Sequence, residues 1–414
     1  MCSTKAQERR LGNTLGTCQQ VYNSLLNWHK HDYEVHGKTV SRYQMNGAFP
    51  KWRKDFPEIA GVHSQVLQNI SLRVELAFSA FFRRVRAGEK PGFPRAKGDG
   101  YDSFCFPGAS VGYAVVNGGL RLSKITEPNS TIKMCLHRPI IGKIKTCCIH
   151  RVGRKWFACF LVEQDDDFLP TSEEAVGLDT GLNSFLALSD GTFIANPRFF
   201  RRDEKALAKA QRKHAKAKNE QQTRGARKRR SSEAGCRKSQ AKKVVSRIHE
   251  RIRNRRHDFV HQTGRRIVNR FGVVAVEKLN VKGMVKNHYL AKSISDASWS
   301  MFRTVLTHKA ESAARDAKGT ALREVIAVNP AYTSQDCYAC GYRAKKKLSE
   351  RWHHCPMCSA SLDRDTNAAI NILASGLSSS GLSSSARTTR SFNLDGITSS
   401  RVTPVEASGF SYGE

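Results

Sequence analysis

Along Val62–Val85, apolar side chains fall at Val62, Val66, Leu67, Ile70, Val74, Phe78, Phe81, Phe82 and Val85. That spacing, close to 3.6 residues, predicts an amphipathic helix burying one face, with any function on the opposite, basic face. Residues 1–90 as a whole read as helical, and Lys90-Pro91-Gly92-Phe93-Pro94 interrupts that character. The pattern then changes. Gly112–Val116, Thr131–Leu136, Lys143–His150 and Lys155–Glu163 are short runs rich in β-branched and aromatic residues. They predict a small β-barrel or sandwich, with Gly153-Arg154 as the hairpin turn between the last two.

A new domain begins at Val176-Gly177-Leu178-Asp179-Thr180-Gly181, followed by Ser184–Leu188 and Asp190-Gly191, which read as strand, turn, strand and a second turn. Residues 201–256 carry 22 Lys and Arg against five Asp and Glu, and predict two helices with a break near Gly225 and Gly235. Like charges at that density repel, so this segment is expected to need an anion for stability. The apolar run Gly272–Val276, closed by Glu277, predicts a buried strand. Trp299–Ala317 reads as a helix and Arg323–Val328 as another strand. Residues 375–414, with Gly-Leu-Ser-Ser-Ser twice in succession from Gly376, have too little apolar content for a core and are expected to form a disordered tail.

The chain of 414 residues is long enough for two or three domains, and its 39% hydrophobic content is that of a folded protein. Its 69 Lys and Arg against 36 Asp and Glu give a formal charge of +33, which points to a polyanionic partner, nucleic acid first. A membrane partner is not expected, because there is no apolar run of about 18 residues and no amphipathic anchor. The polar N-terminus lacks the apolar segment of a signal peptide, so a reducing, cytoplasmic and nucleoid-associated location is expected. The 12 cysteines then read as metal ligands and small buried apolar residues, not as disulfides.

Cys337-x-x-Cys340 and Cys355-x-x-Cys358 stand 14 residues apart. Each pair makes a knuckle that offers two thiolates, and two knuckles complete the tetrahedral shell of one Zn2+. Four thiolates leave no open coordination position, so the zinc is structural. A redox dithiol would need only one pair. His353 and His354, beside Cys355, read as surface residues or RNA contacts, and the other eight cysteines, including Cys147 and Cys148, read as core.

Three acids stand at element ends: Asp179 on a Gly-flanked turn, Glu277 closing an apolar strand, and Asp365 where the Ala-rich helix of Leu362-Asp363-Arg364-Asp365-Thr366-Asn367-Ala368-Ala369 begins. Singly, they fit a turn residue, a strand-end solubiliser and a helix N-cap. Together they match what an RNase H-like sheet uses to hold two divalent cations about 4 Å apart, which activate a water and stabilise the leaving oxygen of a phosphodiester. Mg2+ suits that task through its hard oxygen ligands and retained waters.

Several stretches resemble the TnpB family, RNA-guided nucleases of bacterial and archaeal insertion sequences related to miniature type V CRISPR effectors. Gly177–Gly181 resembles the first RuvC motif. Val276-Glu277-Lys278-Leu279-Asn280-Val281-Lys282-Gly283-Met284 resembles the second, and Leu290–Asp296 the run that follows it. Asn329-Pro330-Ala331-Tyr332-Thr333-Ser334-Gln335-Asp336-Cys337 resembles the approach to the zinc ribbon. Asp363-Arg364-Asp365-Thr366-Asn367-Ala368-Ala369-Ile370-Asn371 resembles the third RuvC motif, where the acid two residues before Asn is catalytic, which selects Asp365 over Asp363. Pro91–Arg95 resembles the link into the wedge domain. The likeness covers residues 5–374.

The resemblance implies an α+β multidomain chain. A helical recognition domain spans 1–95 and a β-barrel wedge domain 96–170. A RuvC-like nuclease domain spans 171–336 and 359–374, with the basic segment 201–256 inside it and a zinc ribbon at 337–358. It implies RNA-guided cleavage of double-stranded target DNA beside a short transposon-adjacent motif, with a guide RNA from the transposon end and the protein monomeric on its RNA. The basic run is then expected along the guide scaffold or guide–target duplex, with Arg227, Lys228, Arg229 and Arg230 as phosphate contacts; a solvated helical face is the alternative. Family members usually open with a wedge strand ahead of a Pro-Thr-x-x-Gln-like segment, whereas Thr4-Lys5-Ala6-Gln7 here follows Met1 almost at once. That bears on completeness of the barrel and not on the acids. The competing functions are a nuclease-inactive RNA-guided DNA-binding regulator, which would lack one of the acids, a transposase acting directly on transposon ends, and a non-enzymatic zinc-ribbon protein.

Overall fold

The computed structural model describes residues 1–98, 100–108, 111–153, 155–163, 169, 172–224, 232–313, 323–347 and 350–379. They divide into two compact units, Met1–Asp166 and Asp167–Glu414. The four residues Arg227, Lys228, Arg229 and Arg230 lie outside the described residues, as does Arg154.

The first unit opens with α1 (Lys5–His36), α2 (Arg42–Asp55), α3 (Pro57–Ala60) and α4 (Ser64–Arg86). Two of these starts are written locally. The Thr4 hydroxyl accepts from the Gln7 N–H while the Gln7 side chain accepts from the Thr4 N–H, and Ser41 and Gln44 repeat this capping box on α2. On α4, Val66, Leu67, Ile70, Val74 and Phe78 are buried as the apolar stripe predicts, but Val85 is exposed at the helix end.

Six strands follow: β1 (Ser103–Phe106), β2 (Tyr113–Val116), β3 (Gly119–Leu122), β4 (Ile132–Lys133), β5 (Lys143–Val152) and β6 (Lys155–Glu163). They form two antiparallel three-stranded sheets, β1-β5-β6 and β2-β3-β4. The N-terminus touches both, since the Met1 amine donates to Trp156 O at 2.9 Å and the Cys2 N–H to Lys133 O at 2.7 Å. Helices and sheets share one core, from Leu11, Leu25 and Leu67 to Phe104, Leu120 and Ile149.

The cysteines of this unit correct the sequence reading. Cys105 on β1 and Cys148 on β5 face each other in register and are disulfide-bonded, 43 positions apart in the chain. Cys18 and Cys147 are buried as expected, but Cys2, Cys135 and Cys159 are exposed. Strand alternation accounts for Cys147 and Cys148: neighbours in β5 point to opposite faces, so only one can enter the core.

The second unit contains β7 (Ala175–Thr180), β8 (Ser184–Leu188), β9 (Phe193–Ala195), α5 (Phe199–Arg224), α6 (Ser232–Arg270), β10 (Val273–Glu277), α7 (Val281–Met284), α8 (Ala291–Ala297), α9 (Trp299–Glu311), β11 (Glu324–Val328), β12 (Trp352–His354), β13 (Ser361–Asp363) and α10 (Arg364–Ser379). Five strands make one mixed sheet in the order β11-β10-β7-β8-β9. The pairs β7–β10 and β10–β11 are parallel, and β7–β8 and β8–β9 antiparallel. Val176, Leu178, Val274 and Val276 pack with residues of α6 and α9, including Val260, Ile267, Phe302 and Leu306. The other face carries α10, through Ala275, Val328 and Ile372.

Two expectations change here. Gly235 lies inside α6, so the basic segment is not broken there. Nor does the chain lose structure at residue 375: α10 continues to Ser379, because Gly376 is buried against the Cβ of Ala275. Residues 380–414 of the expected tail lie outside the described residues. The basic helices also carry internal ties. Asp203 pairs with Arg251 at 2.8 Å and Arg255 at 3.5 Å, and buried Asp296 takes Arg256 at 2.8 Å and the Phe200 N–H at 2.9 Å. Three arginines of the run are therefore engaged in holding α5 and α6 in place.

Candidate active site and metal centre

Strand alternation sets Gly177 and Asp179 on one face of β7, and Ala275 and Glu277 on the same face of β10. Parallel pairing places Ala275 beside Gly177, so Glu277 comes level with Asp179 at the ends of adjacent strands. The third acid arrives on α10. A Cβ at Gly177 would stand 1.9 Å from Ala369 O, and one at Gly376 would stand 2.6 Å from Ala275 Cβ. Only glycine permits so close a helix. Asp365 lies one turn before Ala369, about 6 Å along the helix, and Asp179 lies two residues beyond Gly177, about 6.6 Å along the strand. The two acids therefore meet at the same end of the contact.

Electrostatics report the convergence. Burial, then the carboxylates of Glu277 and Asp365 and, less strongly, Asp363, push the Asp179 carboxyl up to about 8, against the pull of Arg364. Burial also raises Glu277, opposed by a hydrogen bond from the Thr333 hydroxyl at 2.8 Å. Asp365 is held by Arg364 at 3.3 Å and Arg351 at 3.7 Å.

Asp363 has a different task. Its Oδ1 accepts the Asp365 N–H at 2.8 Å and the Thr366 N–H at 3.2 Å, so it caps the start of α10. The helix-cap role thus belongs to Asp363 and not to Asp365, whose side chain is left to the acidic cluster.

The four ribbon cysteines form a second site. Ligand atoms of Cys337, Cys340, Cys355 and Cys358 all lie within 4.8 Å of one another, with Sγ–Sγ distances of 3.6 Å for Cys337–Cys358 and 3.5 Å for Cys340–Cys355. Tetrahedral Zn–S bonds of about 2.3 Å place sulfurs about 3.8 Å apart, so the quartet fits one zinc ion. Gly341, at φ +74°, makes the turn of the first knuckle. Among the described residues, no other set of three or more His, Cys, Asp and Glu is drawn so close. His353 is buried and in contact with Lys346, and does not join the quartet, so it is not the surface residue expected. The short strand β12 turns it inward between exposed Trp352 and His354.

Sequence reasoning missed the residues that join the two sites. Asn367 and Asn371 reach from α10 to the Asp336 carbonyl at 2.8 Å and 2.7 Å. Asn371 also donates to Thr333 O at 2.9 Å, and Asn367 accepts the Tyr338 N–H at 3.1 Å. Their signal in the sequence was the i, i+4 spacing of two asparagines on a helix that is otherwise apolar there. Arg343 grips Asp336 with both nitrogens, at 2.6 Å and 3.0 Å, and lies over the Tyr332 ring.

Two family models match the chain. Residues 159–288 match one described as "Probable transposase", of the IS605 OrfB type. Residues 299–372 match the Cas12f1-like TNB domain. Among curated proteins, the chain is 31% identical over 412 residues to the "Putative RNA-guided DNA endonuclease" of Streptomyces pristinaespiralis, covering 98% of this chain and 94% of that one. It is 28% identical over 399 residues to InsQ of Escherichia coli K12, which bears the same description, covering 89% of each. It is also 31% identical over 147 residues to the TnpB-like protein L79 of Acanthamoeba polyphaga mimivirus, 34% of this chain and 26% of that one. A looser likeness links it to a solved Cas12f1–sgRNA–target DNA complex, at TM-score 0.32 and 14% identity over 88% of this chain and 94% of that one. The chain belongs to the TnpB family, with Cas12f as its relation.

Proposed function

We propose that this protein is an RNA-guided DNA endonuclease encoded by an insertion sequence, cutting target DNA by two-metal hydrolysis with Asp179, Glu277 and Asp365. The observation that carries the reading is the convergence of the three acids from β7, β10 and α10 around buried Asp179, whose carboxyl is pushed up to about 8 by burial and then by Glu277 and Asp365. A buried carboxylate raised by neighbouring acids is relieved by a cation, and hard oxygen donors suit Mg2+. Two ions about 4 Å apart spread the ligands more widely than one does, which agrees with a cluster looser than the cysteine quartet. Bound magnesium would supply an activated water and a stabilised leaving oxygen. The chain's own residues hold the ligands in place: β7 and β10 present Asp179 and Glu277, and α10 presents Asp365.

The strand order, with an antiparallel meander on one side of β7 and parallel β10 and β11 on the other, supports an RNase H-like, RuvC-type nuclease domain. The ribbon quartet suits a structural Zn2+. The helices and sheets of the first unit fit the roles of recognition and wedge domains. Guide RNA from the transposon end and double-stranded target DNA are the partners the +33 charge suits, gripped through their backbones. No described helix is long and apolar enough to cross a membrane. The test is to purify the protein with its native locus and sequence the RNA that comes with it. A discrete RNA ending at the transposon boundary is expected; a protein that carries no RNA overturns the reading.

A further inference from the structure

Among the described residues, Glu277 alone of the three acids has a hydroxyl donor. Thr333 is 6% exposed, and its Oγ1 lies 2.8 Å from Glu277 Oε1 and 3.2 Å from Pro330 O. A hydroxyl has one proton to donate. The shorter contact, to a charged acceptor, takes it, because charge-assisted hydrogen bonds are the stronger. The backbone at Thr333 is fixed independently. Its carbonyl accepts from Asn371 at 2.9 Å, and the same amide reaches the Asp336 carbonyl at 2.7 Å, one residue before Cys337. Asn367 holds that carbonyl too, at 2.8 Å, and accepts the N–H of Tyr338, one residue after Cys337, at 3.1 Å. Hydrogen bonds and the backbone between them thus link Glu277 through Thr333, Asn371 and Asp336 to the first zinc knuckle.

We propose that Thr333 is a positioning residue: it fixes one oxygen of Glu277, leaves the other for the catalytic metal, and ties that carboxylate to the zinc ribbon. The inference rests on the two-metal reading above. Carboxylates that bind metals need their free rotation removed, and the partners that do this are worth about 10- to 100-fold in metal affinity or activity. A bland alternative exists, in which Thr333 merely closes the Asn329–Thr333 turn through its bond to Pro330. The two differ in what the hydroxyl does for metal binding.

The experiment measures Mn2+ binding to the purified, zinc-loaded protein by electron paramagnetic resonance, with zinc content and thermal melting recorded on the same samples. Thr333→Val keeps the shape and removes the hydroxyl; Thr333→Ser restores it. Thr333→Val is expected to weaken Mn2+ binding about 10-fold at unchanged zinc content, and Thr333→Ser to stay within about 2-fold of wild type. Unchanged Mn2+ affinity in Thr333→Val overturns the proposal. So does loss of zinc or early melting with Mn2+ binding reduced only in proportion to the folded fraction, which assigns the residue to the turn. Glu277→Ala separates this from failure of the reading beneath it. If Glu277→Ala abolishes Mn2+ binding while Thr333→Val binds Mn2+ as tightly as wild type, only the role of Thr333 has failed. If Glu277→Ala binds as wild type does, the two-metal reading has failed and the proposal falls with it.

Discussion

Gly177 and Ala369 touch so closely that a Cβ on Gly177 would stand 1.9 Å from the Ala369 carbonyl oxygen. The obstacle is helix backbone, which cannot turn aside as a side chain can. Gly177→Ala must therefore lift α10 from β7 and carry Asp365 away from Asp179. Overpacking of this kind costs about 1–3 kcal/mol, and the loss of cleavage is expected to exceed what reduced folding explains. Gly12→Ala is the control: a Cβ there meets nothing within 4 Å, and it lies inside α1. That change should raise stability slightly, because alanine is the better helix former. Urea unfolding of both variants, alongside cleavage at equal folded fraction, checks the pair.

Asp363 and Asp365 are two residues apart and should respond differently. Asp365→Ala removes a cluster carboxylate and is expected to abolish cleavage. Asp363→Ala removes the cap on α10 and should cost about 1 kcal/mol of stability while retaining most cleavage at a temperature where it is folded. Asp363→Asn or Asp363→Ser, which can still cap, should recover the stability. Equal loss of cleavage in Asp363→Ala and Asp365→Ala would reverse the assignment.

The raised Asp179 makes stability depend on pH when magnesium is absent. A carboxyl normally near 3.8 titrates at about 8 in the fold, so the folded chain holds a proton the unfolded chain has released. Its contribution is full below the usual value and is lost as pH rises through the folded value. The melting temperature of the zinc-loaded, magnesium-free protein should therefore fall between pH 5 and 8 more steeply than that of Asp179→Asn. Added Mg2+ should restore wild type at pH 8 and do little for the variant. Parallel pH curves for the two proteins would contradict the origin given for the shift.

Zinc removal should reach the acids. Metal analysis is expected to give one zinc per chain. Cys337→Ser or Cys358→Ser should release it and destabilise the second unit, because structural zinc contributes folding free energy directly. Mn2+ affinity at the acidic cluster should fall with it, through Asp336, Asn371 and Thr333. A zinc-free protein that still cleaves at the wild-type rate would contradict this.

The candidate site residues could be picked out because they lie in short local patterns: an acid near the end of a glycine-bearing strand, an acid closing an apolar run, and two C-x-x-C pairs. The α4 stripe and β6 were legible for the same reason, as a single period over one segment. What escaped was non-local. The Cys105–Cys148 bond depends on the register of β1 on β5, which no spacing reveals. The Thr333–Glu277 bond spans 56 positions. His353 looked exposed because polarity suggests a surface, yet the fold of β12 buries it. Serine-rich composition hid the last turn of α10, where Gly376 earns its place by smallness and not by hydrophobicity.

The most direct test of the central claim is cleavage of a plasmid by the protein bound to its own locus RNA, with the guide segment rewritten to match that plasmid. With Mg2+, the wild-type complex should cut the matched plasmid and spare a mismatched one. Asp179→Ala should still bind the matched target, because pairing and backbone contacts remain, and should not cut it. Cutting by Asp179→Ala at the wild-type rate, or cutting by the wild-type protein that does not depend on the RNA, would contradict the account.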